Sequence, residues 1–129
     1  MQEDVVNAFL KEQFGSNWAL DNNVCHMDND GEYFGTFYYY ESLIRMTFIY
    51  HFDKSEISYD LAMTLLLLNA HPDLIGRGAF SVTDNGTILL TFRAESEFFT
   101  VPELKERWQN WLNWRSGYFD FFDSEFKKK

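Results

Sequence analysis

Cysteine and histidine are the residue types in this sequence with the most obvious chemistry. Cys25 is the only cysteine, and the histidines are His26, His51 and His71. A cysteine beside a histidine can form a nucleophile and its base, since the thiolate attacks and the imidazole takes the proton. Cys25 and His26 are neighbours on a predicted strand, however, so their side chains point to opposite faces. We therefore predict surface or boundary histidines and no cysteine catalysis.

The segment HMDNDG has the beginning of a calcium-binding loop. Aligning Gly31 with the glycine of such a loop puts His26 at the first ligand position. The same alignment puts Phe37 at the last position, where a bidentate carboxylate is required. Asp, Asn and Gly are also the common turn residues, so a turn between two strands accounts for the segment better.

Two further patterns also fall short of a catalytic or binding motif. Asp28, Asp30 and Glu32 could form a carboxylate pair, but acidic residues in a turn are usually solvated. The segment GRGAF has neither the spacing nor the lysine of a phosphate-binding loop. A single cysteine also excludes an intrachain disulfide and a multi-cysteine zinc site. The sequence predicts a protein that is not an enzyme and holds no metal or cofactor.

Charge and composition point to a protein partner. With 20 acidic and 11 basic side chains the net charge is −9, which disfavours nucleic acid and anionic membranes as partners. No apolar run reaches the roughly 18 residues of a membrane-spanning helix, and the charged N-terminal segment lacks the apolar core of a signal peptide. We expect a cytoplasmic protein. Aromatic residues make up 19% of the chain, more than one small core needs, so some should face a partner.

The spacing of apolar residues predicts elements in the order α-β-β-β-α-β-β-α. Helical spacing runs from Asp4 to Gly15, and a period of two marks strands at EYFGTFYYY and LIRMTFIYHF. A hairpin is expected at Asn85 and Gly86, a dipeptide that favours a type I′ turn. This order predicts one α+β domain over residues 1–129, with an antiparallel sheet packed against helices largely on one side.

The last helix is predicted to begin at Thr100, which forms a capping box with Glu103. One stripe of this helix carries Leu104, Trp108, Trp111, Leu112 and Arg115. Gly117 is the predicted stop or weak point of the helix. The tail, residues 118–129, alternates aromatic and acidic residues, and part of it is expected to be disordered. The sequence leaves open whether the tail continues the helix or lies along the body of the protein.

The helix predicted over Tyr59–Ala70 is apolar on two sides. The narrower side carries Leu61, Leu65 and Leu68. The broader side carries Tyr59, Met63, Leu66, Leu67 and Ala70. A helix of an ordinary two-layer domain needs only one apolar face, so something further must cover the second face.

Three segments together resemble the class I type III secretion chaperones, of the Tir-chaperone and SycE kind. These segments are LAMTLLLLNA, GRGAFSVTDNGTILLTFRAE and VPELKERWQNWLNW. The similarity extends from the first helix to about Trp114 and is strongest from Leu65 to Leu90. It implies the same order of elements, a homodimer, and a non-catalytic function in the bacterial cytoplasm. That function is to hold the N-terminal segment of a secreted effector extended and competent for secretion.

The resemblance also implies two sets of site residues. The effector is expected to contact large apolar groups on the first helix and the strands: Phe9, Phe14, Phe37, Tyr39, Phe48 and Tyr50. A second subunit is expected to cover the broader face of the central helix: Met63, Leu66, Leu67 and Ala70. The narrower face then packs on the sheet, although the sequence alone leaves open which face does which. An effector strand can also add to an edge of the sheet.

Two other interpretations of the sequence stay open. The YbjN-like proteins share this fold and a similar pattern, and they act in regulation through protein–protein contacts. A small-molecule pocket between sheet and helices is the enzyme-class alternative. Such a pocket needs convergent polar groups inside the core, and the sequence offers none that we can name.

Overall fold

The computed structural model describes residues 2–15, 18–29, 31–50 and 57–126. Its helices are α1 (Gln2–Phe14), α2 (Tyr59–Asn69) and α3 (Val101–Phe126), with a short 3₁₀ turn at Pro72–Ile75. Its strands are β1 (Val24–Asn29), β2 (Glu32–Tyr40), β3 (Leu43–Tyr50), β4 (Ala79–Val82) and β5 (Ile88–Glu95). The strands form one antiparallel sheet in the order β1-β2-β3-β5-β4. The predicted α+β class and order of elements are confirmed.

One face of the sheet, called the inner face here, is covered by α1 and α3. Phe9 of α1 lies 6.0 Å from Phe37, and Trp111 of α3 stacks 5.8 Å from Phe92, measured between ring centroids. The register places alternate residues of neighbouring strands side by side on this face, and they form the core. The buried strand residues are Cys25, Met27, Phe37, Tyr39, Ile44, Met46, Phe48, Tyr50, Phe80, Ile88, Leu90, Phe92 and Ala94.

Helix α2 lies next to the edge strand β4. The side-chain amide of Asn69, the last residue of α2, bonds both backbone groups of Phe80 in β4. Nδ2 donates to the Phe80 carbonyl at 2.8 Å, and Oδ1 accepts from the Phe80 N–H at 2.7 Å. Asn69 thereby occupies edge positions that another strand would otherwise use.

Hydroxyl side chains cap two of the helices at their N-termini. Ser58 Oγ accepts from the N–H of Leu61 at 3.1 Å at the start of α2. Thr100 Oγ1 accepts from the N–H of Glu103 at 3.3 Å at the start of α3, as the sequence predicted. None of the helices that the structure describes has the length and apolar character needed to cross a bilayer.

Helix α3 continues past Gly117, so of the two predicted alternatives the stop is wrong, and the tail continues the helix. Residues 118–126, which we expected to be partly disordered, are helical. Phe119 and Phe122 are buried there, and their rings lie 4.9 and 5.5 Å from that of Tyr50. Burial of two phenylalanines, each about 2 kcal/mol, outweighs the helix penalty of glycine, about 1 kcal/mol.

The β4–β5 hairpin does not have the turn type that the dipeptide of Asn85 and Gly86 favours. A type I′ turn needs positive φ at both central residues. Asn85 has no positive φ, and Gly86, at φ 84°, closes the β4–β5 turn by donating to the Thr83 carbonyl at 3.0 Å. The predicted type I′ turn is therefore wrong, although the hairpin forms. Positive φ at both positions occurs instead at Glu41 and Ser42, between β2 and β3.

Candidate functional site

Most of the residues predicted to contact an effector lie in the core. Those at most 8% exposed are Phe9, Phe37, Tyr39, Phe48 and Tyr50. The period of two in a strand shows which residues share a face, but it does not show which face the helices cover. Because α1 and α3 cover this face, these side chains offer almost no area to a partner in this structure. Phe14, the remaining member of the set, is half-buried at the end of α1.

Phe14 lines a groove of about 550 Å³ between α1, the β1–β2 hairpin and α3, called the α1–α3 groove below. The Phe14 ring lies 5.2 Å from that of Trp18 and stands at 90° to Trp108, 5.1 Å away. Phe34 and Leu112 add to the apolar lining, and both are half-buried. The groove is therefore an apolar surface that the described chain leaves partly open.

Phe34 reaches the groove because β2 has a bulge at this position. Met27 of β1 pairs with Gly35, whereas the next residue, Asp28, pairs with Tyr33. The pairing thus skips Phe34, and a bulge of this kind changes the direction of the local side chains. The sequence predicted an uninterrupted strand here, so it gave no indication that Phe34 would line a groove.

Arg115 lies on the α3 stripe that lines the same groove. Its guanidinium carbon is 5.4 Å from the ring centroids of Phe48 and Phe119 and 5.7 Å from that of Phe34. Nε is buried and has no hydrogen-bond partner. Burial lowers the pKa of the guanidinium, and the Asp120 carboxylate acts in the opposite direction. An arginine stays charged at neutral pH in either case.

The broader face of α2 is exposed, and the narrower face is packed. Leu61 and Leu65 are buried. Leu66 and Leu67 are 64% and 59% exposed, and Met63 and Ala70 are also exposed. The arrangement of the two faces is the one expected from the sequence: the buried leucines belong to the same core as the strand residues, and the helix lies next to β4. That a second subunit covers the exposed face stays a prediction.

The two edges of the sheet differ. Asn69 occupies the β4 edge, as described above. Beside β1, at the other edge, is a cleft of about 530 Å³, lined by Trp18, Ala19, Asp21, Asn22 and residues of β1. Within the described part of the chain, β1 pairs with β2 on one side, and on the other side its first residue, Val24, exchanges backbone hydrogen bonds of 2.7 and 3.2 Å with Asp21. Both edges are thus occupied at one position, and the cleft lies beside the β1 edge.

The cysteine and the histidines do not assemble into a catalytic group in the described residues. Cys25 is buried on the inner face, and burial raises the pKa of its thiol while a hydrogen bond to the Ala19 backbone acts in the opposite direction. His26 is exposed, as strand alternation predicted. His71 is exposed just beyond α2. His51 lies outside the described residues.

The acidic segment is a hairpin, as predicted. Asn29 of β1 pairs with Glu32 of β2, and Gly31 has φ 83°. Asp30, part of the considered carboxylate pair, lies outside the described residues. Among the residues that are described, no group of three or more His, Cys, Asp or Glu could hold a metal ion.

No family model matches the sequence, and no curated protein matches it. Solved structures do match. A chain of the ExsC–ExsE complex superposes with a TM-score of 0.74 at 13% identity, over 98% of this chain and 96% of that chain. A chain of the HopA1–SchA chaperone–effector complex gives 0.67 at 17% identity, over 91% of each chain. A chain of the ExoU–SpcU complex, from the type III secretion system of Pseudomonas aeruginosa, gives 0.52 at 12% identity, over 84% of this chain and 96% of that chain. The chain therefore has the fold of the type III secretion chaperones.

Proposed function

We propose that the protein is a type III secretion chaperone of the bacterial cytoplasm. It binds the N-terminal chaperone-binding segment of a secreted effector and keeps that segment extended and competent for secretion. The observation that carries the proposal is the fold shared with chains of three chaperone–effector complexes over 84% to 98% of this chain. The open apolar surfaces support it, because a non-enzymatic binding protein needs such surfaces for its partner.

The first surface is the exposed face of α2, which we assign to a second copy of the chain. Met63, Leu66, Leu67 and Ala70 form an apolar strip that the described chain leaves uncovered. In a homodimer with two-fold symmetry the same strip on each subunit meets its counterpart, so one patch is enough. The protein is accordingly a homodimer in this proposal.

The second surface is the α1–α3 groove, which we assign to the effector. Phe14 is the member of the predicted effector-contact set that lines it. Two of the buried members contact its lining: Phe9 lies 6.1 Å from Phe14 and 6.5 Å from Trp108, and Phe48 lies 5.6 Å from Trp108. The effector side chains thus contact Phe14, Trp18 and Leu112, and the core beneath keeps these residues in place.

The third surface is the edge of β1. Strand addition joins a peptide to a sheet through main-chain hydrogen bonds, so it needs an edge that is not already occupied. Asn69 occupies the β4 edge at Phe80, and Asp21 occupies the β1 edge at Val24, but the cleft borders the six-residue β1 also at Cys25, His26 and Asp28. An effector segment that adds a strand therefore does so at β1, beside the segment that lies in the α1–α3 groove.

The test is affinity purification of the tagged protein from its native cells, followed by mass spectrometry and native mass measurement of the eluate. The proposal predicts a single secreted protein bound to two copies of the chain. Resident cytoplasmic proteins in its place would favour the regulatory, YbjN-like alternative. A monomeric chain with no bound protein at micromolar concentration would contradict the proposal.

A further inference from the structure

Arg115 is a cation whose hydrogen-bonding groups find no partner in the part of the chain that is described. Its Nε–H is buried and unsatisfied. Among the described residues, its guanidinium makes cation–π contacts with the rings of Phe34, Phe48 and Phe119. Cation–π contacts stabilise a guanidinium, but they satisfy none of its five N–H donors. A half-buried arginine in this condition has an incomplete environment, since buried donors are normally paired.

The chain's own carboxylates do not complete that environment. Asp120 influences Arg115 electrostatically, but no described carboxylate lies within ion-pair distance of the guanidinium. Asp123, on the next turn of α3, accepts a hydrogen bond of 2.5 Å from the hydroxyl of Tyr50. Within the described part of the chain, the guanidinium is therefore available to an acceptor from another molecule.

The groove limits what that acceptor can be. A guanidinium binds a planar carboxylate through two parallel hydrogen bonds. Asp28 and Glu32 also line the groove, and their charges repel a multiply charged group such as a phosphate more strongly than a singly charged carboxylate. The rings of Phe14 and Trp108 nearby favour an apolar neighbour for the acceptor. A single carboxylate beside an apolar side chain fits all three conditions.

We propose that Arg115 binds an aspartate or glutamate side chain of an extended effector segment, and that an adjacent apolar side chain of the same segment lies against Phe14 and Trp108. This inference rests on the proposed function and gives the α1–α3 groove its specificity. An acidic chaperone of net charge −9 repels acidic segments in general. Arg115 thus admits a carboxylate at one defined position in the bound segment.

The first step of the test maps the effector segment that lies in the groove. The photocrosslinker p-benzoylphenylalanine replaces Leu112, which lines the groove, and the tagged protein is irradiated in its native cells. The matched control carries the crosslinker in place of Asn113, which is exposed and bonded to Gln109 on the same helix. Mass spectrometry then identifies the crosslinked peptide. We expect an aspartate or glutamate within about three residues of the crosslinked position, a distance of about 10 Å in an extended chain.

The second step measures whether Arg115 recognises that carboxylate. The mapped segment is synthesised in two forms, one natural and one with the acidic residue replaced by its amide. Fluorescence anisotropy gives the affinity of each form for the wild-type protein, Arg115→Gln, Arg115→Lys and the control Arg93→Gln. Arg93 is an exposed arginine on the outer face of the sheet, so its loss changes net charge equally without changing the groove.

The expected result is a preference of the wild-type protein for the acidic form of about tenfold or more, the effect of one charge-assisted hydrogen bond. Arg93→Gln keeps this preference, Arg115→Lys keeps part of it, and Arg115→Gln loses it. The ratio of two affinities on one variant is independent of any general weakening of the protein. Thermal unfolding shows which variants are folded.

Three results would overturn the inference. The first is equal binding of the two peptides by the wild-type protein, which needs no variant and so does not depend on whether Arg115→Gln folds. The second is an unchanged preference in folded Arg115→Gln. The third is crosslinking of the effector from Asn113 but not from Leu112. In all three an effector is still bound, so the proposed function stands, whereas recovery of no effector at all contradicts both.

Discussion

Replacing Asn69 by alanine should destabilise the protein by removing the link between α2 and the β4 edge. The side-chain amide makes two hydrogen bonds to the backbone of Phe80, at 2.8 and 2.7 Å. Each contributes about 1 kcal/mol to the free energy of unfolding. Alanine returns about 0.6 kcal/mol, because it has the higher helix propensity. The expected net loss is about 1.4 kcal/mol, which lowers the melting temperature of a domain of this size by about 5 °C.

The assay is urea unfolding followed by circular dichroism, at one protein concentration because dimerisation affects stability. Asn110→Ala is the matched control, since Asn110 is exposed on α3. That control should gain the same helix propensity, about 0.6 kcal/mol, without losing a bond to the sheet. The free energies of unfolding of the two variants should therefore differ by about 2 kcal/mol. Equal stability of Asn69→Ala and Asn110→Ala would refute the claim that Asn69 secures the β4 edge. A lower urea midpoint for Asn69→Ala would support the claim, provided that the unfolding free energy depends on urea concentration with the same slope as in the wild-type protein.

The remaining predictions concern the glycines, the α2 face and the cysteine. Gly117→Ala should raise stability by about 1 kcal/mol, because the site is helical and its surroundings are open. Gly76→Ala should destabilise, since the glycine has φ 58° and the added Cβ would clash with the indole ring of Trp114. Thermal unfolding measures the stability of both glycine variants. Leu67→Glu should dissociate the dimer in sedimentation experiments, because it buries charge at the interface. Cys25 should react more slowly with iodoacetamide at pH 8 in the folded protein than in urea, because burial and the raised pKa keep its thiol protonated.

Each of these four predictions has a result that would contradict it. Destabilisation by Gly117→Ala would show that the helix is not continuous there, and a neutral Gly76→Ala would show that Trp114 does not pack on the 3₁₀ turn. The control for Leu67→Glu is Asn110→Glu, which adds the same charge on an exposed part of α3. An intact Leu67→Glu dimer would assign the interface to another face. Equal alkylation of the native and unfolded protein would place Cys25 outside the core.

The order of elements could be predicted because it depends on local patterns. The period of two in β3 and the helical spacing in α1 and α2 are properties of short segments. Local patterns do not predict which face of the sheet becomes the core, because this depends on where α1 and α3 pack. Phe37 and Tyr39, which were predicted to contact the effector, are for this reason buried on the inner face.

The groove could be predicted only in part. Arg115 follows the apolar stripe of α3 in the sequence, and a lone cation on such a stripe is a signal that could have been used. Phe34 gave no comparable signal, because a bulge depends on the pairing of two strands. The extension of α3 beyond Gly117 likewise depends on long-range burial of Phe119 and Phe122.

The measurement that tests the central claim most directly is limited proteolysis of the complex purified from native cells, with the protected fragments identified by mass spectrometry. The account predicts one protected fragment from the N-terminal region of a secreted protein, while the rest of that protein is digested as it is when free. Protection of a folded domain away from the N-terminus, or no protection of any secreted protein, would contradict the account.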